Sequence, residues 1–101
     1  MIPTRALYHH AARITLFSRA SCSLCADAKQ VLSRVWDRQP FEYQEIDVMK
    51  DRKWAVYEFD VPVIHVESNQ NGSKETSMAA PKLMHRFSPE QVEDLLKKLG
   101  K

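Results

Sequence analysis

The spacing of hydrophobic and polar residues changes along the chain and predicts alternating strands and helices. The run from Ile14 to Phe17 is β-branched and aromatic and predicts a first strand, which ends at a polar stretch. Over 23–36 the apolar residues recur every three or four positions, which predicts an amphipathic helix ending before Pro40. Residues 41–48 predict a second strand, whose irregular alternation suits burial on both faces or a bulge.

Three weaker patterns follow in the middle of the chain. The segment 50–59 predicts a short helix with Asp47 as its cap. Residues 61–66 predict a third strand, with Pro62 at its start, where a proline disturbs a sheet least. Residues 83–87 predict a short fourth strand.

The last helix has clear start and stop signals. Ser88 and Gln91 have the spacing of a capping box, and Pro89 occupies the first helical position. An apolar stripe follows, and Gly100 ends the helix.

The order of elements predicts an α/β domain with a four-stranded mixed sheet and helices on both faces. Two strand–helix–strand links imply parallel pairings, and the short return over 63–87 implies an antiparallel hairpin. We assign residues 13–100 to this domain and expect residues 1–12 to form a flexible N-terminal segment.

Composition and charge exclude several classes of protein. The 101 residues fit one domain, and 44% hydrophobic with 28% charged residues is typical of a globular protein. A net charge of +2 is too small to indicate nucleic acid or a membrane surface as partner. No apolar run approaches the roughly 20 residues that a membrane helix needs.

The composition of the N-terminal region is relevant to the cellular location of the protein. The first 26 residues contain three arginines and no acidic residue, as in a mitochondrial presequence, although the region continues into the first strand. Residues 1–12 are therefore interpreted either as the remnant of a targeting sequence or as an unrelated N-terminus. Because a signal-peptide core is missing, we expect an intracellular protein, mitochondrial or cytoplasmic.

The two cysteines form a C-x-x-C pair where the first strand meets the first helix. A disulfide that closes so small a loop would stabilise the fold little, so the pair indicates a reactive role rather than a structural one. Cys22 is expected at the helix N-terminus, where the dipole favours a thiolate by about 0.5–2 kcal/mol, and Arg19 adds positive charge. Cys25 is expected one turn further in, buried, to resolve the mixed disulfide.

Two other interpretations of the cysteines remain open. Both can be inert buried residues, since cysteine is among the most buried residue types. A zinc site would need four ligands, and the chain has one C-x-x-C pair; His9 and His10 would have to complete the site, but adjacent histidines in a flexible N-terminus are poorly arranged for it. We expect no metal site.

The pattern Arg19-x-x-Cys22-x-x-Cys25, followed by Asp60-Val61-Pro62 and a capped C-terminal helix, resembles glutaredoxin and its glutaredoxin-like relatives over residues 13–100. The resemblance implies a thioredoxin-like fold in which the bond before Pro62 is cis and the proline packs beside the sulfurs. It also implies that the Val61 backbone pairs with a bound substrate, and that Arg19 stabilises the thiolate or a substrate carboxylate.

The chain departs from the glutaredoxin pattern at three places. Ser23-Leu24 replaces the usual Pro-Tyr pair, Asp60 replaces a threonine, and residues 87–90 replace a Gly-Gly-acidic sequence that holds glutathione in the family. Because Asp60 adds a negative charge beside an anionic ligand, we expect glutathione to bind weakly.

These observations predict a thiol–disulfide oxidoreductase with Cys22 and Cys25 as catalytic residues and Arg19, Val61 and Pro62 as substrate-binding residues. The expected partners are disulfides of proteins or small molecules, with glutathione a doubtful reductant, no tightly bound cofactor and a monomeric state. Two rival functions stay open: an iron–sulfur cluster carrier, and a non-catalytic adaptor that keeps the fold.

Overall fold

The structure, a computed structural model, describes residues 12–68 and 75–99. In chain order the elements are β1 (Ala12–Ser18), α1 (Ser23–Arg38), β2 (Glu42–Asp47), a 3-10 helix (Arg52–Tyr57), β3 (Val63–Ser68), β4 (Lys82–Met84) and α2 (Pro89–Leu99). Each predicted element is present, with ends that differ by up to a few residues. The predicted helix over 50–59 is a 3-10 helix, and Ala12, which we assigned to the N-terminal segment, belongs to β1. The rest of that segment and the helix stop at Gly100 lie outside the described residues.

The four strands form one mixed sheet in the order β2-β1-β3-β4, as predicted. β1 and β2 are parallel, whereas β1–β3 and β3–β4 are antiparallel. β1 lies in the interior of the sheet, and six of its seven residues, 13–18, are buried. The antiparallel pairing of β3 with β4 confirms the expected hairpin between the third and fourth strands.

The second parallel pairing that the sequence implied is wrong. β3 lies on the other side of β1 from β2 and runs antiparallel to it. The 3-10 helix between β2 and β3 has six residues and rises only about 12 Å at roughly 2 Å per residue, whereas β2 extends about 20 Å. This element is shorter than β2 and does not by itself return the chain to the starting edge of the sheet, and the next strand runs the opposite way.

Both α-helices pack on the same face of the sheet. Helix α1 contributes Leu32 and Val35 to this core, and α2 contributes Val92 and Leu96. The buried members of this cluster are Ile14, Leu16, Ala28, Leu32, Val35, Phe41, Ile64, Val66, Val92 and Leu96. Burying a Leu or Val side chain stabilises a fold by about 1.5–3 kcal/mol, so this face carries much of the hydrophobic stabilisation. Neither helix is long and apolar enough to cross a membrane, and no other described helix is.

The 3-10 helix covers the opposite face of the sheet, so helices lie on both faces. Trp54 and Tyr57 of this helix pack on Phe17, with ring centroids 4.7 and 5.1 Å away. Val48 and Val63 complete this smaller core. Because Phe17 and Leu16 alternate along β1, each face of the sheet receives its own apolar side chains.

Helix capping agrees with the sequence at one site and differs at the other. Ser88 and Gln91 exchange the two hydrogen bonds of a capping box, at 2.9 and 3.2 Å. At the 3-10 helix the cap is Asp51, whose carboxylate accepts from the Lys53 N–H at 3.1 Å. The predicted cap, Asp47, accepts from the Met49 N–H instead and closes the turn after β2. The helix begins two residues later than predicted, and Asp51 is its cap in place of Asp47.

Candidate active site around Cys22 and Cys25

The chain leaves β1 through a tight turn that places Cys22 at the N-cap of α1. Ser21 takes a left-handed conformation with φ of 59°, and Cys22 is extended, with φ of −112° and ψ of 106°. The Cys22 sulfur then accepts a hydrogen bond from the Cys25 N–H at 3.1 Å. It therefore takes the place of the side-chain oxygen that usually caps a helix.

The two cysteines are joined in a disulfide, and their Cα atoms are 5.2 Å apart. Their exposure differs: Cys22 is partly exposed, whereas Cys25 is only 3% exposed and faces the core. In the folded protein, Cys22 is therefore more accessible than Cys25 to solvent and to a substrate.

Val61 and Pro62 follow the 3-10 helix, and the bond between them is cis, as the resemblance implied. The Val61 N–H donates to the Tyr57 carbonyl at 3.2 Å, and the Asp60 N–H donates to the same carbonyl at 2.8 Å. Pro62 is buried, and its carbonyl accepts from the His85 N–H at 2.7 Å. These bonds fix the loop on both sides of the proline.

Arg19 lies half-buried just after β1. Its guanidinium donates to the Glu58 carbonyl at 3.0 Å, at the end of the 3-10 helix. This bond holds the positive charge of Arg19 beside the turn that leads to Pro62.

Asp60 and His85 face each other next to Pro62. His85 Nε2 lies 3.8 Å from Asp60 Oδ1, and the two side chains are 56% and 44% exposed. His85 comes directly after β4 and has φ of 65°, a conformation that is uncommon for residues other than glycine. The sequence carries no signal for this pair, because no local pattern links residues 25 positions apart.

A pocket of about 150 Å³ lies between α1 and the loop after β4. Leu24, the residue next to Cys25, lines it on the α1 side, and His85 lines it on the loop side. The other lining residues are Asp27, Ala28, Val31, Arg86 and Phe87. The pocket therefore lies between the first turns of α1 and the loop that contains His85.

Comparison with known proteins identifies the family to which the chain belongs. A family model described as glutaredoxin-like domain (DUF836) matches residues 13–97. The chain belongs to the glutaredoxin-like family. The resemblance that the sequence motifs indicated is thereby confirmed.

Solved structures of low sequence identity share the fold of this glutaredoxin-like chain. Thioredoxin-2, a component of the protein secretion machinery of the malaria parasite, is 16% identical with a TM-score of 0.63, covering 93% of this chain and 99% of that one. Protein Ne2328 from Nitrosomonas europaea is 18% identical with a TM-score of 0.63, covering 91% and 98%. Target protein XcR50 from X. campestris is 19% identical with a TM-score of 0.61, covering 84% and 96%. The glutaredoxin-like chain therefore has a thioredoxin fold.

Behind the site, His65 joins the 3-10 helix of this glutaredoxin-like domain to the loop before β4. His65 is fully buried on β3; its Nε2 pairs with the Tyr57 hydroxyl and its Nδ1 with the Thr76 hydroxyl, both at 2.8 Å. Burial, with a smaller effect from Lys82, lowers the pKa of His65 to about 4, against a weak opposing effect of Glu67. Burial also raises the pKa of Tyr57, and the nearby Asp60 charge adds to that rise. His65 is therefore a structural residue, with both ring nitrogens paired.

A second polar cluster, partly exposed to solvent, lies at the β2 side of the sheet. Burial opposes ionisation of Glu45, but hydrogen bonds from Lys29, Tyr43 and Ser18 prevail and lower its pKa. Burial and the Glu45 carboxylate together raise the pKa of Tyr43. The cluster links α1, β1 and β2 and stabilises the fold of this edge.

The described residues give no support to a zinc site around the cysteines. Among residues 12–68 and 75–99, no group of three or more His, Cys, Asp or Glu side chains could hold a metal ion. His9 and His10 lie outside the described residues.

Proposed function

We propose that this glutaredoxin-like protein is a thiol–disulfide oxidoreductase in which Cys22 attacks the substrate and Cys25 resolves the intermediate. The observation that carries the proposal is the unequal environment of the two sulfurs. Cys22 is accessible at the N-cap of α1, and Cys25 is 3% exposed and within bonding distance of it.

The position of Cys22 favours its reactive form. Once the disulfide is reduced, a Cys22 thiolate would keep the hydrogen bond from the Cys25 N–H and lie at the positive end of the α1 dipole. Both interactions stabilise the anion more than the thiol, and thiolates are the nucleophiles of disulfide exchange. Burial disfavours ionisation of Cys25 until Cys22 has reacted.

The electron balance follows from two exchanges. The Cys22 thiolate attacks one sulfur of the substrate disulfide, forms a mixed disulfide and releases the other sulfur as a thiolate, which takes up a proton. Cys25 then loses its proton, attacks the Cys22 sulfur and releases the second substrate thiol. Two electrons pass from the dithiol to the substrate, and a thiol or dithiol reductant must return them before the next cycle.

The substrate is expected to lie against the loop that contains Val61 and Pro62. Since the Val61 N–H already donates to Tyr57, we expect the Val61 carbonyl to accept a hydrogen bond from the substrate backbone. Arg19, held at Glu58, supplies positive charge on the same side of the loop. Asp60 supplies negative charge, which is why glutathione is expected to bind weakly.

Reduction of hydroxyethyl disulfide and of insulin, with dithiothreitol as reductant, tests the proposal. Cys22→Ser should abolish turnover. Cys25→Ser, reduced first and then mixed with the substrate disulfide after dithiothreitol has been removed, should accumulate a mixed disulfide visible by mass spectrometry. The matched control is Ala26→Ser, an exposed change on α1 that should retain wild-type turnover.

Alkylation of the reduced native protein tests the division of roles directly. Iodoacetamide should modify Cys22 far faster than Cys25 near neutral pH. Equal alkylation rates at the two sulfurs would contradict this division of roles. A brown colour after anaerobic reconstitution with iron and sulfide would favour a cluster carrier. A function that survives loss of both cysteines would favour an adaptor.

A further inference from the structure

His65 is a buried polar residue that the proposed mechanism leaves without a role. It is fully buried on β3, and both ring nitrogens pair with hydroxyl groups at 2.8 Å, Nε2 with that of Tyr57 and Nδ1 with that of Thr76. Tyr57 and Thr76 are themselves only 3% and 7% exposed. A buried polar network whose members are paired fixes the positions of the groups that it joins. His65 therefore holds the Tyr57 side chain in place.

Tyr57 connects this network to the loop that contains Pro62. It is the last residue of the 3-10 helix, and its backbone carbonyl accepts hydrogen bonds from the Asp60 N–H at 2.8 Å and the Val61 N–H at 3.2 Å. Its ring packs edge-on against the His65 ring, with centroids 5.6 Å apart. One residue thus contacts the core through its side chain and the loop through its carbonyl.

We propose that His65 is a positioning residue of the substrate site: by holding the Tyr57 hydroxyl, it fixes the position of the Val61 backbone, against which an extended polypeptide substrate lies. This inference rests on the proposed oxidoreductase function and deepens it, since it names a core residue on which the binding of protein disulfides depends. His65 acts through Tyr57 and not on the sulfurs. Small disulfides, which present no polypeptide backbone to Val61, do not depend on it.

The two sides of the proline are held differently. After Pro62 the chain continues directly into β3 and is held by the sheet. Before it, the Val61 N–H bonds to the Tyr57 carbonyl, and the Arg19 guanidinium holds the Glu58 carbonyl at 3.0 Å. Loss of the contact at the Tyr57 hydroxyl therefore loosens the side of the loop on which Val61 lies, while the sheet holds the other side.

The ratio of two rate constants tests this role. The reduced protein, freed of dithiothreitol, is mixed either with insulin, which presents a polypeptide backbone, or with hydroxyethyl disulfide, which presents none. Because both reactions use the Cys22 thiolate, the ratio of the insulin rate constant to the hydroxyethyl disulfide rate constant cancels changes in the reactivity of Cys22. Tyr57→Phe, which keeps the ring and removes the hydroxyl, should lower this ratio about three- to tenfold, as expected for the loss of one hydrogen bond.

Two variants at position 65 separate the contact with Tyr57 from the rest of the network. In His65→Gln the side-chain amide lies where Nε2 lies and can still pair with Tyr57, whereas in His65→Asn it lies where Nδ1 lies and can pair only with Thr76. We expect His65→Gln to keep the wild-type ratio within about twofold, and His65→Asn to lower it as far as Tyr57→Phe does. The control Thr76→Val removes the other hydroxyl of the network and should lower stability without changing the ratio.

Amide hydrogen exchange of the oxidised protein separates this inference from the proposed function, because it needs no turnover. Tyr57→Phe should speed exchange about three- to tenfold at the amides of Asp60 and Val61, whose acceptor is the Tyr57 carbonyl. The Leu96 amide on α2 reports any change in global stability and is the reference.

The outcomes distinguish the two claims. A protein that reduces neither disulfide would overturn the proposed function, and the exchange rates would still decide whether the Tyr57 hydroxyl holds the loop. The positioning role would be overturned by a ratio that Tyr57→Phe leaves within about twofold of wild type, or by equal ratios in His65→Gln and His65→Asn. A ratio in Thr76→Val as low as that in Tyr57→Phe would overturn it too, as would loop amides that exchange no faster, relative to Leu96, than in wild type.

Discussion

His65 is buried between two neutral hydroxyls, and charging it would place a cation where no carboxylate of the described residues pairs with it. Its ring nitrogens pair with Tyr57 and Thr76, and the ring lies edge-on to Phe17, with centroids 4.7 Å apart. Neutral histidine satisfies both hydroxyls with one donor and one acceptor, whereas the charged form would make both nitrogens donors. Acidification should therefore destabilise the fold through this residue.

The size of the effect follows from the pKa. His65 has a pKa of about 4 in the folded protein, compared with about 6.5 for an unperturbed histidine. At about 1.36 kcal/mol per unit, the difference amounts to roughly 3 kcal/mol of folding free energy. Because the folded pKa is the lower one, this stability is fully present above about pH 6.5 and is lost progressively as pH falls toward about 4. By about pH 5, roughly 2 kcal/mol is lost.

Urea unfolding of the oxidised protein at about pH 7.5 and pH 5 measures this loss. His65→Gln is the comparison, because it removes the titration and keeps a polar side chain for Tyr57. Titration of other groups, including Glu45, affects both proteins alike and cancels in the difference. The stability of wild type relative to the variant should fall by about 2 kcal/mol between the two pH values. A change below about 0.5 kcal/mol, or one of opposite sign, would refute this reasoning.

Three further changes test the site and the fold. Asp60→Thr removes the negative charge before Val61 and should raise activity in a glutathione-coupled assay by up to about tenfold; unchanged activity would show that Asp60 does not limit glutathione binding. Ser88→Ala breaks the capping box and should lower the free energy of unfolding, measured by urea titration, by about 1 kcal/mol. The control Asp94→Ala, at an exposed position on α2, should lower it less. Leu32→Ala opens the core under α1 and should cost about 2–5 kcal/mol in the same titration; a loss below about 1 kcal/mol would contradict the packing described for this face.

The local elements and the dithiol could be predicted from the sequence because the interactions that form them are local. Ser88 and Gln91 are three residues apart, as are Cys22 and Cys25, so the capping box and the N-cap sulfur are readable from spacing alone. The alternation of Leu16 and Phe17 is likewise local, and it places one apolar side chain on each face of the first strand. The family motif around Pro62 added the cis bond, which no local pattern specifies.

The tertiary structure decided the contacts between residues distant in sequence. It placed β3 antiparallel to β1, with a short 3-10 helix in place of a full crossover helix between β2 and β3. That reversal brings His65 under Tyr57, and the β3–β4 hairpin carries His85 back to Asp60. The pKa of His65 and the charge beside the disulfide therefore depend on how the chain folds back on itself. Sequence spacing cannot encode them, since burial and electrostatic interaction depend on distance in space.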